Sequence, residues 1–348
     1  MKKTKYANYV IGELPEGCKR CIIGKKTVLF ITGKCSRKCV YCPLSELRWN
    51  TEQVYANEKP CKNFKDLIDE IKKSNSNSCS ITGGDPLIDL NKTLNYAKKL
   101  KEHFGKKFHI HIYLSTTLVN ERKIKKLAKF VDEIRFHPEF LSNPSKFDED
   151  LRKISIAKKY YKLNNIGIEM PIFPNKKELM LEFIKQAVND DDIGFVNLNE
   201  LEIGDTNFSF IIKNYKLNLG GYTIKGSIKT GKWLLKQIEK LKLKVNVNIC
   251  TAETKNWHQY QNRLKNYKKI KYSKKTKDGT IIYFAIKDFS KKDILKLNKV
   301  SYLDKQKNQI ILNPRHVRQL TLTNKHKIYR IEEYPTFDRE EIQVERLN

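Results

Sequence analysis

The sequence predicts an α/β fold in which strand and helix patterns alternate along most of the chain. Short apolar or alternating runs typical of strands recur between residues 28 and 250. Between these runs, apolar residues recur at helical spacing, as in Phe64, Leu67, Ile68 and Ile71. Successive β/α units imply a parallel sheet with right-handed crossovers, and parallel sheets bind ligands at the carboxyl ends of their strands.

Six β/α repeats can be counted, with a seventh strand as a further edge. The predicted strands are residues 28–31, 78–82, 108–115, 133–136, 166–172, 194–203 and 244–250. The pattern breaks at Trp257. Weaker strand and helix signals after residue 277 predict a small C-terminal α+β domain.

The length and composition limit which classes of protein this chain can belong to. The chain has 348 residues, which is enough for one large domain and a smaller one. No run of about 20 apolar residues is present and no apolar segment follows the lysine-rich start, so we expect a cytoplasmic protein with no membrane partner. Eight cysteines in such a protein favour metal binding over disulfides.

The most informative stretch is the loop that follows the first predicted strand. Cys35, Cys39 and Cys42 have the spacing C-x3-C-x2-C. Three thiolates are one short of the four that close a structural zinc site or saturate a ferredoxin cluster. A [4Fe–4S] cluster held by three cysteines keeps one iron free for an outside ligand. The alternatives are a zinc site, which needs a fourth ligand that the loop does not contain, and reduced core cysteines.

A second motif, Gly83-Gly84-Asp85-Pro86, follows the second predicted strand. Paired glycines let the backbone approach a ligand closely, and Pro86 stiffens the exit from the turn. Asp85 adds a carboxylate. The turn and the cysteine loop follow neighbouring strands of a parallel sheet, so we expect them to meet at the same edge.

These motifs resemble those of the radical S-adenosylmethionine (radical SAM) superfamily. The segments GCKRC, VLFITGKC, CVYCPLSE and GGDP are most similar to archaeal members related to the activating enzymes of pyruvate formate-lyase. The resemblance implies a partial (β/α)6 barrel over residues 27–255. It also implies a [4Fe–4S] cluster and SAM as cofactors, and cleavage of SAM to a 5′-deoxyadenosyl radical that takes hydrogen from a substrate.

The resemblance also implies site residues. Cys35, Cys39 and Cys42 would bind the cluster. The methionine moiety of SAM would be oriented by Gly83, Gly84 and Asp85, the last standing where the family usually has Glu. Tyr41 and Ile168 would flank the adenine, and the hydroxyls of Ser115 and Thr116 would hold the ribose or carboxylate. The alternative role for these hydroxyls is to cap the following helix.

Three further cysteines form a second candidate metal site. Cys18 and Cys21 have the spacing C-x2-C, which is half a metal site, and Cys250 ends the last predicted strand of the sheet. We predict that these three bind an auxiliary iron–sulfur cluster. Zinc, or no metal, remains the alternative.

The net charge of +30 and the segment 257–277, which interleaves aromatic and basic residues, favour an RNA partner, most of all tRNA. An amphipathic helix followed by a solvated linker is the alternative reading of this segment. The resemblance to activating enzymes favours a protein substrate instead, and a non-catalytic metal-binding module is the third hypothesis. Either enzyme would need an electron donor. The predicted parts are an N-terminal extension (1–26), the barrel (27–255), a basic linker (256–277) and the C-terminal domain (278–348).

Overall fold

The computed structural model describes residues 1–322 and 325–348. Contacts divide these residues into two compact units. Unit 1 comprises Met1–Ile71 and Ser76–Gln259, and unit 2 comprises Lys72–Asn75 and Tyr260–Asn348. Within the described ranges, none of the helices combines the length and the apolar character needed to cross a membrane.

Unit 1 is built on one large sheet. Its strands are β1 (Lys2–Lys3), β2 (Tyr9–Ile11), β3 (Lys26–Phe30), β4 (Val54–Ala56), β5 (Lys59–Cys61), β6 (Ser78–Thr82), β7 (His109–Ser115), β8 (Glu133–His137), β9 (Ile166–Pro171), β10 (Phe195–Asn199) and β11 (Asn246–Cys250). Their order across the sheet is β1-β2-β11-β10-β9-β8-β7-β6-β3-β4-β5. The neighbours from β3 and β6 through to β11 pair in parallel.

The helices of this part of the chain are α1 (Glu16–Ile22), α2 (Phe64–Lys73), α3 (Leu90–Phe104), α4 (Glu121–Leu127), α5 (Phe147–Ser155), α6 (Lys177–Asn189), α7 (Phe208–Asn214) and α8 (Ser227–Lys240). Leu29, Ile81, Ile112, Ile134 and Ile168 are fully buried in the main hydrophobic core. They alternate with residues of the opposite face, because successive side chains of a strand point to opposite sides of the sheet.

The parallel α/β sheet confirms the predicted fold class. The predicted seventh strand is part of the parallel series, so it is not an added edge. The edges are formed instead by antiparallel strands, β4 and β5 beyond β3 and β1 and β2 beyond β11. Within the described residues, no hydrogen-bonded pairing joins β1 to β5, so the sheet is open and the barrel is not closed.

The face of the sheet opposite the main core carries buried polar side chains. Arg135 on β8 lies at their centre. Its Nε donates to Glu133 (Nε–Oε1 2.7 Å), its Nη1 donates to Glu169 on β9 (Nη1–Oε2 3.0 Å), and its Nη2 donates to the Cys18 thiol (3.3 Å). Asn197 and Asn199 on β10 both donate to the Glu169 carboxylate. Buried polar groups are tolerated when they are hydrogen-bonded in this way.

Helix α1, within the predicted N-terminal extension (1–26), packs against this polar face. The Gly17 amide donates to Glu133 (N–Oε2 3.0 Å). A Cβ atom on Gly17 would come within 2.7 Å of His111 Nδ1 and 2.8 Å of an Arg135 nitrogen. Glycine at this position therefore lets the helix approach the polar side chains beneath it closely.

His111 on β7 gives the stability of unit 1 a pH dependence. It is fully buried, and neither ring nitrogen has a hydrogen-bond partner among the described residues. Burial first, and then the charges of Arg135, Lys26 and His109, lower the pKa of His111 well below its ordinary value of 6.5. Below that pH the unfolded chain takes up a proton that the folded chain refuses, so the free energy of unfolding falls as the pH falls.

In the wild type, His111 should lower the free energy of unfolding by about 1.4 kcal/mol for each pH unit that the pH falls between roughly pH 6.5 and pH 5. We expect the His111→Gln variant to lack this part of the pH dependence. Denaturant unfolding at a series of pH values measures it. The control is His103→Gln, at an exposed histidine of α3, which should follow the wild-type curve. Parallel curves for the wild type and the His111→Gln variant would contradict the prediction.

Unit 2 contains an antiparallel sheet with helices. Its strands are β12 (Lys274–Lys275), β13 (Ile281–Ile286), β14 (Ser301–Asp304), β15 (Gln309–Leu312), β16 (Ile328–Glu333) and β17 (Glu341–Arg346), in the order β14-β15-β13-β16-β17 with β12 on β13. Its helices are α9 (Gln261–Asn266), α10 (Lys291–Leu297) and α11 (Pro314–Leu322). The buried Arg339 guanidinium donates to the Glu333 carboxylate (Nε–Oε1 2.5 Å) and to the Asp304 carboxylate (Nη1–Oδ2 2.6 Å).

The segment predicted as a linker is folded into this unit from residue 260 onward. Tyr267 is only 1% exposed, and Ile270 and Tyr272 pack against the core beside β13. The Lys275 ammonium donates to the Lys265 and Tyr267 carbonyls. The Tyr267 ring is therefore buried, and the Tyr272 ring is half-buried.

Candidate active site

A cavity of about 380 Å³ lies at the carboxyl edge of the parallel strands. Its lining comes from the loop after β3 and from the ends of β6 to β10, together with Lys255 after β11. Ligand-binding cavities commonly measure about 300 to 1,000 Å³, and in open α/β sheets they lie at this edge. The cavity is therefore the candidate active site.

The loop after β3 is held from both ends. Gly33 donates to the Thr51 carbonyl (2.7 Å), and a Cβ atom at Gly33 would lie 1.8 Å from the Arg48 carbonyl oxygen. At the other end, the Thr206 hydroxyl donates to the Cys42 carbonyl (2.7 Å). The loop backbone is thus held at one end by the Arg48–Thr51 segment and at the other by the Thr206 side chain.

Cys35, Cys39 and Cys42 all line the cavity, and all three are half-buried free thiols. Burial raises the pKa of Cys35 and of Cys42. Within the described residues, no three His, Cys, Asp or Glu side chains are gathered as ligands of a single metal ion. Ligands of one zinc ion must converge on a point, whereas three cysteines of a [4Fe–4S] cluster each bind a different iron and stand further apart.

The Gly83-Gly84 turn lies directly against the cysteine loop. The Gly84 amide donates to the Thr32 carbonyl (2.7 Å), and the Asp85 amide donates to the Lys34 carbonyl (2.9 Å). Both glycines line the cavity. The two motifs predicted to meet at one edge of the sheet are therefore hydrogen-bonded to each other.

Asp85 is placed differently from its family role. Its carboxylate is fully buried, accepts from the Leu87 amide (2.9 Å) and from the Ser115 hydroxyl, and is absent from the lining of the cavity. Burial raises its pKa, and the hydrogen bond from Ser115 opposes that rise. The shorter aspartate thus ties the turn to β7, and binding of the SAM amino group by Asp85 remains a prediction.

Replacing Gly84 with alanine tests the contact between the two motifs. A Cβ atom there would lie 2.2 Å from the Lys34 carbonyl oxygen, which is backbone and cannot move without moving Cys35. We expect the Gly84→Ala variant to bind SAM at least about tenfold more weakly, equivalent to about 1.4 kcal/mol. Equilibrium binding to the reconstituted protein measures this. Gly105→Ala, at a position of positive φ with open space around it, is the control for backbone strain alone and should bind SAM normally.

Of the other predicted residues, Tyr41 and Ser115 line the cavity. Tyr41 packs edge-on against Phe173, with ring centroids 5.5 Å apart. Thr116 is buried and donates to Asp150 instead of facing the cavity. Neither hydroxyl caps α4, because the N-cap is Asn120, whose side chain accepts from the Lys123 amide.

Ile168 does not reach the cavity. It is fully buried in the main core on the helix-covered face of the sheet. Its neighbours on β9 that face the other way are Gly167 and Glu169. Pro171, at the end of the strand, is the residue of β9 that lines the cavity. Successive side chains of a strand point to opposite faces of the sheet, so Ile168 points away from the face that carries Glu169. An adenine bound on the Glu169 face would therefore not contact Ile168.

Strand ends contribute further residues to the cavity lining. Tyr113, His137 and Asn199 line it at the ends of β7, β8 and β10. Burial lowers the pKa of His137 to about 4, so its ring is neutral at pH 7. Glu202 and Lys255 form an ion pair on the lining (Nζ–Oε1 3.0 Å). Their common signal is a polar residue at or just beyond the carboxyl end of a predicted strand.

Cys18, Cys21 and Cys250 lie near one another but are not gathered as ligands of one ion. Cys18 and Cys21 are one turn apart on α1, and Cys250 ends β11. The Cys18 thiol accepts from Arg135, and the Cys250 thiol accepts from Gln259 (3.4 Å). Burial raises the pKa of Cys18 and of Cys250 to about 12. The auxiliary site therefore stays a prediction.

Comparison with known proteins gives this geometry a family. The model of the radical SAM superfamily matches residues 29–184, which contain both motifs. A protein of Methanocaldococcus jannaschii is described as a candidate glycyl-radical enzyme activating enzyme. It is 35% identical to this chain over an alignment 367 positions long, which covers 99% of this chain and 95% of the relative. The chain belongs to the radical SAM superfamily. As a radical SAM enzyme, it uses a [4Fe–4S] cluster and SAM.

Solved structures of radical SAM enzymes resemble this one over part of their length. Native anSMEcpe with AdoMet bound is 17% identical, with a TM-score of 0.38 over 62% of this chain and 58% of that chain. The methyltransferase TsrM from Kitasatospora setae, with tryptophan and a SAM analogue bound, is 12% identical, with a TM-score of 0.35 over 51% of this chain and 36% of that chain.

The residues of the cavity fit these cofactors. Three free thiols line one wall, and a backbone turn with two glycines lies beside them. Arg37, in the cysteine loop, is buried and has nitrogens without a hydrogen-bond partner in the described part of the chain, as expected beside an anionic group.

Proposed function

We propose that this radical SAM enzyme is an activating enzyme that takes a hydrogen atom from a glycine of a partner protein. The observation that carries the proposal is the similarity to the Methanocaldococcus jannaschii relative, which extends over 99% of this chain. A similarity of that extent includes the C-terminal unit as well as the sheet. It therefore favours a protein substrate over the RNA substrate predicted from charge.

In this proposal Cys35, Cys39 and Cys42 bind three irons of the cluster and leave the fourth for SAM. The cluster and SAM, when bound, supply a 5′-deoxyadenosyl radical. The chain's own task is to position and shield, because such chemistry belongs to the cofactor. Gly83 and Gly84 offer backbone groups beside the cysteine loop, and Tyr41 adds an aromatic wall.

Polar groups on the cavity lining suit a polypeptide substrate. Asn199, Glu202 and Lys255 present amide, carboxylate and ammonium groups there, and such groups can hydrogen-bond to peptide carbonyls and amides. His137 is neutral at pH 7, so its ring adds no positive charge to the cavity. This mixture of polar groups with aromatic and apolar walls is typical of a site that orients a substrate by a few polar contacts.

Deuterium transfer tests the proposal. The reconstituted enzyme is incubated anaerobically with dithionite, SAM and a glycyl-radical enzyme labelled with dideuterated glycine. We expect deuterium in 5′-deoxyadenosine and a glycyl radical signal by electron paramagnetic resonance, and neither with a partner whose reactive glycine is alanine. Formation of unlabelled 5′-deoxyadenosine without a protein radical would contradict the protein-substrate proposal while leaving SAM cleavage intact.

RNA is the second candidate, favoured by the net charge of +30. The burial of Tyr267 and the partial burial of Tyr272 leave these two rings less available to stack on bases, which weakens this candidate. Binding of total tRNA across a salt series separates the two. Contacts to six to ten phosphates would lower the affinity about 10³ to 10⁵-fold between 50 and 200 mM salt, whereas we expect weak binding with a shallow slope.

A further inference from the structure

Arg37 lies within the cysteine loop, between Cys35 and Cys39, and is only 8% exposed. Its Nη2 donates to the His137 carbonyl (2.6 Å). Its Nε and Nη1 are buried and have no hydrogen-bond partner among the described residues. A buried charged donor left without an acceptor is costly, so the two unused nitrogens indicate an acceptor that the protein itself does not supply.

The position of Arg37 indicates which kind of acceptor this is. It lines the same cavity as Cys35, Cys39 and Cys42. Burial raises the pKa of the Cys35 and Cys42 thiols, and the positive charge of Arg37 opposes that rise. The same charge opposes the rise that burial causes in the pKa of the Asp85 carboxylate. The buried guanidinium is therefore close to two of the three loop thiols and to the Asp85 carboxylate.

The neighbouring lysines of the loop are placed differently. Lys34 forms an ion pair with the exposed Glu52. The Lys38 side chain is exposed. Charges that face water are screened, whereas a buried charge acts in a medium of low effective dielectric constant. Arg37 consequently exerts a stronger field on the cavity than either neighbour of like charge.

We propose that Arg37 is a positioning residue that donates an unused N–H group to the iron–sulfur cluster and raises the reduction potential of the cluster. The inference rests on the proposed cluster site. The oxidised cluster with three thiolates carries one net negative charge, and one-electron reduction adds a second. A fixed buried cation stabilises the more negative state more strongly, so it favours reduction.

The test is the midpoint potential of the cluster, measured without SAM by an anaerobic mediated titration. We expect Arg37→Gln to lower the equilibrium constant for one-electron reduction at least tenfold, which is a shift of about 59 mV to lower potential. Arg37→Lys retains the charge and should stay within about threefold of the wild type. Lys38→Gln removes the adjacent exposed charge and should also stay within about threefold.

Each outcome decides between the possibilities. Equal potentials for wild type, Arg37→Gln and Lys38→Gln, with the cluster intact by its absorption and electron paramagnetic resonance spectra, overturn the inference. So does a variant that differs from wild type only in SAM affinity, because the anion beside Arg37 is then the SAM carboxylate. If Arg37→Gln fails to assemble a cluster, Arg37→Lys decides: retention of the cluster near the wild-type potential supports the inference, and its loss overturns it.

Failure of the proposed function would give different results from failure of the inference about Arg37. A wild-type chain that binds no [4Fe–4S] cluster refutes the cofactor site itself, and the role of Arg37 with it. A wild-type chain that cleaves SAM but yields no radical on a partner protein refutes the proposed substrate only, and the potentials of the Arg37 variants still test this inference.

Discussion

Replacing any one of Cys35, Cys39 and Cys42 with alanine is expected to abolish the [4Fe–4S] cluster and to lower 5′-deoxyadenosine formation at least about 10³-fold. All three thiols line one cavity, and the loop contains no further cysteine to substitute for a lost ligand. With only two ligands the cluster would expose a second iron. The loss should therefore be nearly complete for each variant rather than graded along the loop.

Iron and sulfide content after anaerobic reconstitution, followed by 5′-deoxyadenosine quantified with dithionite and SAM, measures this effect. The matched control is Cys79→Ala, at a cysteine buried in the main core on β6. This variant should lose some stability through the space it leaves but keep its cluster. A single-alanine variant of the loop with wild-type iron content would show that its cysteine is not a ligand.

Replacing Arg135 with methionine is expected to destabilise unit 1 by about 3 to 5 kcal/mol. The change leaves the buried Glu133 and Glu169 carboxylates without the guanidinium that pairs with both. The Cys18 thiol also loses its donor. Removing one partner of a buried ion pair costs more than the pair itself contributes, because a desolvated charge is left uncompensated.

Denaturant unfolding followed by a probe in unit 1 measures the loss. The control is Lys159→Met, which removes an exposed ion pair with Glu121 and should change stability by less than about 1 kcal/mol. A shift of similar size in both variants would show that the buried network around Arg135 contributes no more than a surface pair.

Much of the fold could be predicted because the pattern of the sequence is local and repeated. The predicted strand at residues 78–82 has the bounds of β6, and the apolar stripe of Phe64 and its partners forms α2. The short edge strands β4 and β5 were missed because they span three residues each and carry no periodic signal. Helix α1 was missed for a similar reason, since its seven residues include Gly17 and are stabilised mainly by contacts with the polar face of the sheet.

The candidate site was predictable in part. The cysteine spacing and the paired glycines are sequence signals, and the structure places both on one cavity. Side-chain direction was not predictable at Asp85, Thr116 and Ile168, because it depends on which face of the sheet is covered by helices and which partners lie within reach. Asp85 turns to Ser115, Thr116 to Asp150, and Ile168 to the core.

The cysteine loop, the alternating β/α order and hence the edge at which ligands bind can be predicted from the sequence alone, because they depend on spacing and on the handedness of short connections. Folding alone places Asn197 and Asn199 on the same face of the sheet as Glu169 and buries Arg37 with two unused nitrogens. Burial and pairing are properties of segments distant in the chain, and no local pattern encodes which of them meet.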